Sequence, residues 1–426
     1  MSKNILITGA SRGIGYLTAK TLAKGGHHVI ASMRDIKGHN AAIATELAGW
    51  AVEHGHSLEV VELDVTSEGS VDSAIQALEE RLDIDVLINN AGIMPCGITE
   101  AYTPEQVSAC LDVNVVGVAR TCRAVLPHMR ERKSGLLIHI SSSSGRLAMP
   151  FFGLYCASKW ALEAMAESMH YELASFGVES IIVEPGGHGT DLIQSPPAPS
   201  DTRCIESYGD IAKAPANIVD MFQGVFAQGD KSTDAQNVAD QLAELVDMEG
   251  DRPIRTTVGH NMGVDQINTR VAPVQAEFIR SFLPMAGIEA QDNRLFVSAT
   301  ITLKPEYYDE GLAALESIIP QTLNEPGCHV FSLMKNKEGN GALHLFECFE
   351  NEQALQLHYE QDYTKAVFAQ YEEWLEKPVE VEKYVKRILD VSILCFSNKS
   401  ETDFFNSLIL NFFFLIILLK VFSIIT

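Results

Sequence analysis

NILITGASRGIG, residues 4–15, runs from a short apolar stretch into three closely spaced glycines. A continuous apolar run of this length, bounded by a turn signal, is the pattern of a strand buried on both faces. A helical pattern follows at 14–24. Between the two, Gly9, Gly13 and Gly15 are spaced G-x-x-x-G-x-G, not G-x-G-x-x-G. Glycines at such a turn let backbone N–H groups approach an anion at the start of the helix, where the dipole favours a pyrophosphate. A strand passing through a glycine turn into a helix is also how a doubly wound sheet begins.

The same alternation continues through the first two hundred residues. Strand-like runs fall at 28–32, 58–63, 85–89, 135–140 and 178–183, with helical patterns between them. That order predicts βαβ units and a parallel sheet. SPPAPSDTR (195–203) breaks the pattern, and the mixed, polar stretch to about 235 reads as a lid or insertion. Helical patterning returns at 233–247, and the first domain is expected to close near 288. LFVSATITLK (295–304) then alternates apolar and polar residues as a half-buried strand should. A helix at 307–319, strands at 329–335 and 342–349, a helix at 353–375 and a strand at 379–384 complete a βαββαβ order. The expected fold is an α/β doubly wound parallel-sheet Rossmann domain over 1–288, followed by an α+β ferredoxin-like domain over 294–388. The tail, 396–426, is almost all Leu, Ile and Phe between 408 and 419. It nearly reaches the length of a membrane span and reads as a C-terminal anchor or as non-native sequence.

The chain has 426 residues and a net charge of −24. So acidic a field disfavours nucleic acid and anionic lipid as partners. Eight cysteines are scattered without a CxxC, and Met1-Ser2-Lys3 leads straight into the first strand. Free thiols in a reducing cytosol are expected, with no disulfide framework and no metal, and with membrane association only through a native tail.

The chemistry concentrates around YCASKWALEAM (155–165), which sets Tyr155 and Lys159 one helical turn apart. Other short motifs surround it: TGASRGIG, NNAG at 89–92, Asn114 in LDVNVVG, ISSSSG at 140–145 and PGGHGT at 185–190. Together, in this order, they make residues 1–288 resemble the short-chain dehydrogenases/reductases, and the text from Leu111 to Lys159 looks most like the hydroxysteroid-dehydrogenase type. The resemblance implies an oxidoreductase in which Tyr155 is the general acid/base. Lys159 would lower the phenol's pKa and bond the nicotinamide ribose. Ser142 would polarise the substrate carbonyl, and Asn114 would hold a proton-relay water. The resemblance, which places this serine thirteen residues before the tyrosine, selects Ser142 from the four serines 141–144. The implied cofactor contacts are Gly9, Ser11, Arg12, Gly13, Ile14, Gly15, Arg34, Asp64, Val65, Asn90, Ala91, Gly92, Tyr155, Lys159, Pro185, Gly186 and Thr190.

At the end of the second strand Ser32 stands where an NAD-binding carboxylate would be, with Arg34 and Arg12 nearby. Two guanidiniums suit a 2′-phosphate, which predicts NADP(H) in preference to NAD(H), with Asp35 as the opposing signal. Met94, Cys96, Leu147, Met149, Phe151, Phe152 and Leu154 give the substrate side an apolar character, as pocket wall or as core. His188 reads as an ordinary loop histidine. The second domain resembles the antibiotic-biosynthesis-monooxygenase family through EPGCHVFSL (325–333), HLFECFENEQALQLHYE (344–360) and KPVEVEKY (377–384). That resemblance implies dimers and, in some members, cofactor-free oxidation of hydroxylated aromatics or quinols. His358 and Trp374 read as a helix-face histidine and a buried tryptophan. The expected function is hydride transfer between NADP(H) and an apolar ketone or secondary alcohol in a homodimer or tetramer. The C-terminal domain would serve dimerisation or oxidation. The alternatives are a bifunctional reductase–monooxygenase of aromatic secondary metabolites and a nucleotide-sensing binding protein.

Overall fold

Seven strands lie side by side, all parallel, in the first part of the chain. They are β1 (Asn4–Ile7), β2 (His28–Met33), β3 (Leu58–Glu62), β4 (Val86–Asn89), β5 (Gly135–Ile140), β6 (Val178–Pro185) and β7 (Arg255–Val258), in the order β3-β2-β1-β4-β5-β6-β7. The computed structural model describes residues 2–194, 196–250, 252–286, 288, 294–335 and 341–385. The tail at 396–426, with its two readings, lies outside the described residues, as does 386–388 at the end of the second expected domain.

The helices of this part are α1 (Gly13–Lys24), α2 (Ala41–His54), α3 (Glu68–Glu79), α4 (Pro104–Leu111), α5 (Gly117–Arg132), α6 (Gly153–Leu173), α7 (Thr202–Ser207), α8 (Ala214–Phe226), α9 (Gln236–Asp247) and α10 (Val264–Met285). Alternation along each strand sends its side chains to two separate cores. Ile5, Ile7, Val29, Ala31, Val86 and Ile88 join Leu22 of α1 and Val238 and Leu242 of α9 on one face. Leu6, Ile30, Leu87 and Leu137 join Val71 and Ile75 of α3 and Val125 and Met129 of α5 on the other. A sheet buried on both faces needs the near-continuous apolar strands seen in the sequence. The strand order reverses between β1 and β4, so a crevice opens at their carboxyl ends.

The edge strand β7 and the helices α7, α8 and α10 of this part were not anticipated. The edge strand β7 has four residues and starts on a charged one, too short to stand out by pattern. The segment expected as lid or insertion carries α7 and α8, and Phe222 of α8 packs edge-on against Phe152 with centroids 6.4 Å apart.

The chain divides into two compact units between Asn268 and Thr269, within α10. The second unit holds β8 (Leu295–Thr302), α11 (Tyr308–Leu323), β9 (Cys328–Lys335), β10 (Ala342–Phe349), α12 (Glu352–Glu360), α13 (Asp362–Trp374) and β11 (Glu380–Val385). Its four strands are antiparallel in the order β11-β8-β10-β9, the ferredoxin-like arrangement. Leu295, Val297, Ala299 and Ile301 alternate inward along β8 and meet Leu315 and Ile318 of α11, Leu355 of α12 and Trp374 of α13. The single helix expected at 353–375 is two helices. Gln361 between them is extended (φ −64°, ψ 140°), which breaks the helical ladder without a glycine or proline. Among the described residues no helix is long and apolar enough to cross a membrane.

Candidate active site

The glycine turn is held by the end of β4. Thr8 Oγ1 accepts from the backbone N–H of Asn90 at 3.0 Å and of Ala91 at 3.1 Å. Asn90 Nδ2 donates to Thr8 O (2.9 Å) and Gly9 O (3.1 Å). Gly9 has φ +68°, and a Cβ there would stand 2.8 Å from Ala91 Cα. A Cβ on Gly15 would collide with Asn90 Nδ2. These glycines are therefore required by the close approach of β4's end as well as by any anion. No side chain caps the N-terminus of α1, which leaves its first N–H groups for a ligand.

Arg12 and Arg34 are both exposed. Ser32 is fully buried and its hydroxyl donates to Ile7 O at 2.9 Å, so it faces the sheet and not a ribose. Asp35, at φ +51°, spends a carboxylate oxygen on the His39 N–H at 2.7 Å. Asp64 Oδ1 accepts from the N–H (2.9 Å) and hydroxyl (2.7 Å) of Thr66, which fixes the turn after β3. Val65 O accepts from Arg120 Nη1 at 3.0 Å. A Cβ on Gly92 would lie 3.3 Å from Asn114 Oδ1 and 3.8 Å from Lys159 Nζ, so NNAG and the lysine share one space.

Asn114 sits in a π-helical stretch, Asp112–Val116, between α4 and α5. Such stretches are uncommon and concentrate at functional sites. The side chain is 1% exposed and fully engaged. Its Oδ1 accepts from Ile93 N–H (2.9 Å), and its Nδ2 donates to Ile93 O (2.8 Å) and Ser158 Oγ (2.9 Å). Ser158 in turn donates to Tyr155 O at 2.7 Å. Asn114 thereby ties the π stretch, β4's outgoing chain and the Tyr155 turn of α6 together. Both amide protons are spent in this way, which leaves a relay water the main chain or the second lone pair of Oδ1.

Tyr155 and Lys159 are each 5% exposed, and Lys159 Nζ lies 5.8 Å from the Tyr155 ring centroid. Lys159 Nζ donates to Ile140 O at the end of β5, 2.7 Å away. Burial brings the ammonium down to about 8, with Cys110 and Glu163 acting to raise it. Burial also pushes the Tyr155 phenol up to about 12, against the pull of its hydrogen bond with Ser142. The sequence led to the opposite expectation for the phenol. Desolvation of the phenolate outweighs the lysine, whose ammonium is turned to the Ile140 carbonyl.

Tyr155, Lys159, Ser142, Arg12, Gly13, Ile14, Asn90, Gly92, Pro185, Gly186 and Thr190 line one cavity of ≈ 280 Å³. Gly9, Ser11, Gly15, Arg34, Asp64, Val65, Ala91 and Asn114 are not among its lining residues. Gly9, Gly15 and Ala91 sit behind it in the packed turn, and Arg34, Asp64 and Val65 follow the ends of β2 and β3. The uncapped helix, the glycine cradle and the phenol–ammonium pair suit a dinucleotide. The apolar residues separate into two groups. Met94, Met149 and Phe152 face the cavity, whereas Cys96 packs beneath Phe152 and Tyr155, and Leu154 packs with Tyr102 and Cys110.

Sequence reasoning missed the opposite wall, which α8 supplies through Met221, Phe222, Val225 and Phe226. The i, i+1, i+4, i+5 spacing of these residues was the available signal. His188, set aside as a loop residue, lines the same cavity. Its Nδ1 is 3.0 Å from Gly186 O, and burial lowers its pKa. In the second unit His358 is buried with Nδ1 2.9 Å from Glu325 Oε1, which also accepts from the Tyr363 hydroxyl. Trp374 is in that unit's core.

Comparison with known proteins agrees with the geometry. Residues 3–199 match the family model for short chain dehydrogenase, and residues 294–370 match that for antibiotic biosynthesis monooxygenase. A 3-ketodihydrosphingosine reductase of Bacteroides thetaiotaomicron is 36% identical over 207 residues, which cover 48% of this chain and 71% of that protein. The mouse 17-beta-hydroxysteroid dehydrogenase type 1 is 40% identical over 185 residues, 43% of this chain and 53% of that one. The crystal structure of a variant actinorhodin polyketide ketoreductase with NADPH superposes with a TM-score of 0.50 at 26% identity, covering 62% of this chain and 97% of that one. The chain belongs to the short-chain dehydrogenase/reductase family, oxidoreductases acting on CH–OH and C=O groups.

Proposed function

We propose that the protein transfers a hydride between NADP(H) and an apolar ketone or secondary alcohol, with Tyr155 as general acid/base. The observation that carries this reading is the shared cavity. The Tyr155 phenol, the Ser142 hydroxyl and the Lys159 ammonium line the same space as the start of α1, opposite an apolar wall from α8. The backbone of Ser11, Gly13, Ile14 and Gly15 would hold the pyrophosphate, with Gly9 setting the turn. Arg12 and Arg34 would hold the 2′-phosphate, Asp64 and Val65 the adenine side, and Asn90, Ala91, Gly92 and Lys159 the nicotinamide ribose. Pro185, Gly186 and Thr190 would flank the nicotinamide. Bound there, the nicotinamide supplies or accepts the hydride.

The chain's own residues handle the oxygen and the proton. Ser142 Oγ donates a hydrogen bond to the substrate carbonyl and polarises it. Tyr155 gives its phenol proton to that oxygen as it becomes an alkoxide, and in the oxidative direction it takes the proton back. The positive charge of Lys159 stabilises the phenolate left behind. Reprotonation through Asn114 would run over the main chain of the π stretch or the second lone pair of Oδ1. Ser32 facing the sheet, Asp35 engaged with His39 and two exposed arginines support NADP(H) over NAD(H). The convergence of Tyr155, Lys159 and Ser142 argues against a purely nucleotide-sensing role.

Residues 294–388 are read as an assembly module, within a two-domain chain whose first domain runs over 1–288. Phe346, Met334 and Tyr384 are 38%, 48% and 49% exposed, and strand pairing sets them on one face of the sheet. A half-exposed apolar sheet face suits pairing with a second copy. The group of buried His358 with the partly buried Glu325 and Tyr363 keeps a second, oxidising activity as the other reading for this unit. The scattered cysteines without a CxxC support a cytoplasmic location, with membrane association only through the C-terminal tail.

Three outcomes follow. Tyr155→Phe lowers NADPH-dependent ketone reduction by about 100-fold or more in steady-state assays. Unchanged turnover would sink the mechanism. Arg34→Glu weakens NADPH about tenfold or more in fluorescence titration while sparing NADH, and retained NADPH affinity would overturn the cofactor assignment. Phe346→Glu halves the mass seen by analytical ultracentrifugation without loss of reductase activity. An unchanged mass would remove the sheet face from the interface.

A further inference from the structure

One turn beyond Lys159 on α6 lies Glu163, 3% exposed. Its Oε2 accepts from Arg255 Nε at 2.8 Å. The same guanidinium donates through Nη2 to Glu167 Oε2 at 2.7 Å. Glu184 of β6, fully buried, faces Arg255 too, but its Oε1 is 3.5 Å from Nε. Its Oε2 accepts from Asn268 Nδ2, and Asn268 Oδ1 accepts from Arg146 Nε at 2.9 Å. Glu163 Oε1 and Glu184 Oε1 have no hydrogen-bond partner among the described residues. Three carboxyl groups therefore crowd one guanidinium, and Glu184 holds the long contact. A buried carboxylate so poorly paired is costly, and crowding of like charges drives one member of the set to its neutral form. Burial and the neighbouring Glu163 raise Glu184 to about 8. Of the two, Glu163 holds the short contact to the guanidinium and Glu184 the long one.

Glu163 packs against the loop that follows β5. A Cβ on Gly145, just past the serine row, would stand 2.9 Å from Glu163 Cγ and 2.6 Å from Ser141 Oγ, so only glycine lets the carboxylate stem lie against that loop. The other titratable groups that act on Lys159 are neutral near pH 7. Cys110 of α4 is a buried thiol raised by burial, His139 of β5 is brought down to about 3, and Tyr155 is pushed up to about 12. The hydrogen bond to Ile140 O orients the ammonium but adds no countercharge. Glu163 is left as the group whose negative charge acts on a lysine that burial would otherwise discharge.

We propose that Glu163, buried one helical turn from Lys159 and gripped by Arg255, is a positioning residue for the reaction whose carboxylate serves Lys159 as its countercharge, while Glu184, with its long contact to Arg255, does not. The inference rests on Lys159 serving Tyr155 as its charged partner. Neutralising Glu163 then discharges Lys159 at a lower pH, whereas replacing Glu184 by its neutral isostere changes little.

The test is ¹³Cε-lysine NMR titration of the full-length protein, with the Lys159 resonance assigned by its loss in Lys159→Arg. The wild-type midpoint is expected at about 8. Glu163→Gln lowers it by about one pH unit, Glu163→Asp largely restores it, and Glu184→Gln leaves it in place. The alkaline limb of kcat/KM moves down with Glu163→Gln while turnover at pH 6.5 is kept, which a merely structural loss would not do. An unmoved midpoint in Glu163→Gln overturns the proposal. So does a Glu184→Gln midpoint that falls as far, and that variant decides the matter if Glu163→Gln does not fold. Failure of the underlying mechanism has a different signature: Lys159→Met would retain turnover whatever the titrations gave.

Discussion

A buried ammonium is the constraint around which this site is arranged. Lys159 is 5% exposed, and its Nζ is held by the carbonyl of Ile140 at the last residue of β5. Removing such a charge from water costs several kcal/mol unless its surroundings compensate. The compensation comes from the carbonyl at the end of β5 and the carboxylate of Glu163 one turn along α6, which Arg255 of β7 holds in place. The parallel sheet is what lets these groups meet, because β5, β6 and β7 lie side by side in it.

The carboxyl ends of the parallel strands gather the rest of the chemistry. β1 ends in the glycine turn, β4 in NNAG, β5 in the serine row, and β6 in the loop from Pro185 to Thr190. Hydrogen bonds from Asn90 to Thr8 and Gly9, and from Asn114 to Ile93 and Ser158, fasten neighbouring pieces to each other. The rim is therefore rigid where a cofactor would press on it. The substrate wall is built differently. Met221 and Val225 of α8 are 55% and 41% exposed, and they contribute apolar surface with few polar commitments. Rigid polar anchoring on one side and an adaptable apolar wall on the other are a usual division in small-molecule sites.

Much of the fold was legible because buried parallel strands must be apolar along their whole length. The six strands read from the sequence stand within a few residues of their expected bounds, and so does the βαββαβ order of the second unit. The motif residues were legible because local spacing carries them: one helical turn for Tyr155 and Lys159, one glycine turn for Gly9 to Gly15. What escaped depends on contacts between distant segments. β7 is four residues long, and its Arg255 gains meaning only opposite Glu163 and Glu184. The π stretch around Asn114 has no composition signal. The break at Gln361 comes without glycine or proline. The direction of the Tyr155 shift was misjudged because a neighbouring charge is visible in sequence and depth of burial is not.

The most direct test of direct hydride transfer at this site is isotopic. Single-turnover reduction of an apolar ketone with NADPH deuterated at C4 of the nicotinamide, in ordinary water, should place the deuterium on the carbinol carbon. The hydroxyl proton should come from the protein and solvent. Alcohol formed without deuterium on that carbon, or label lost to water during turnover, would contradict the account.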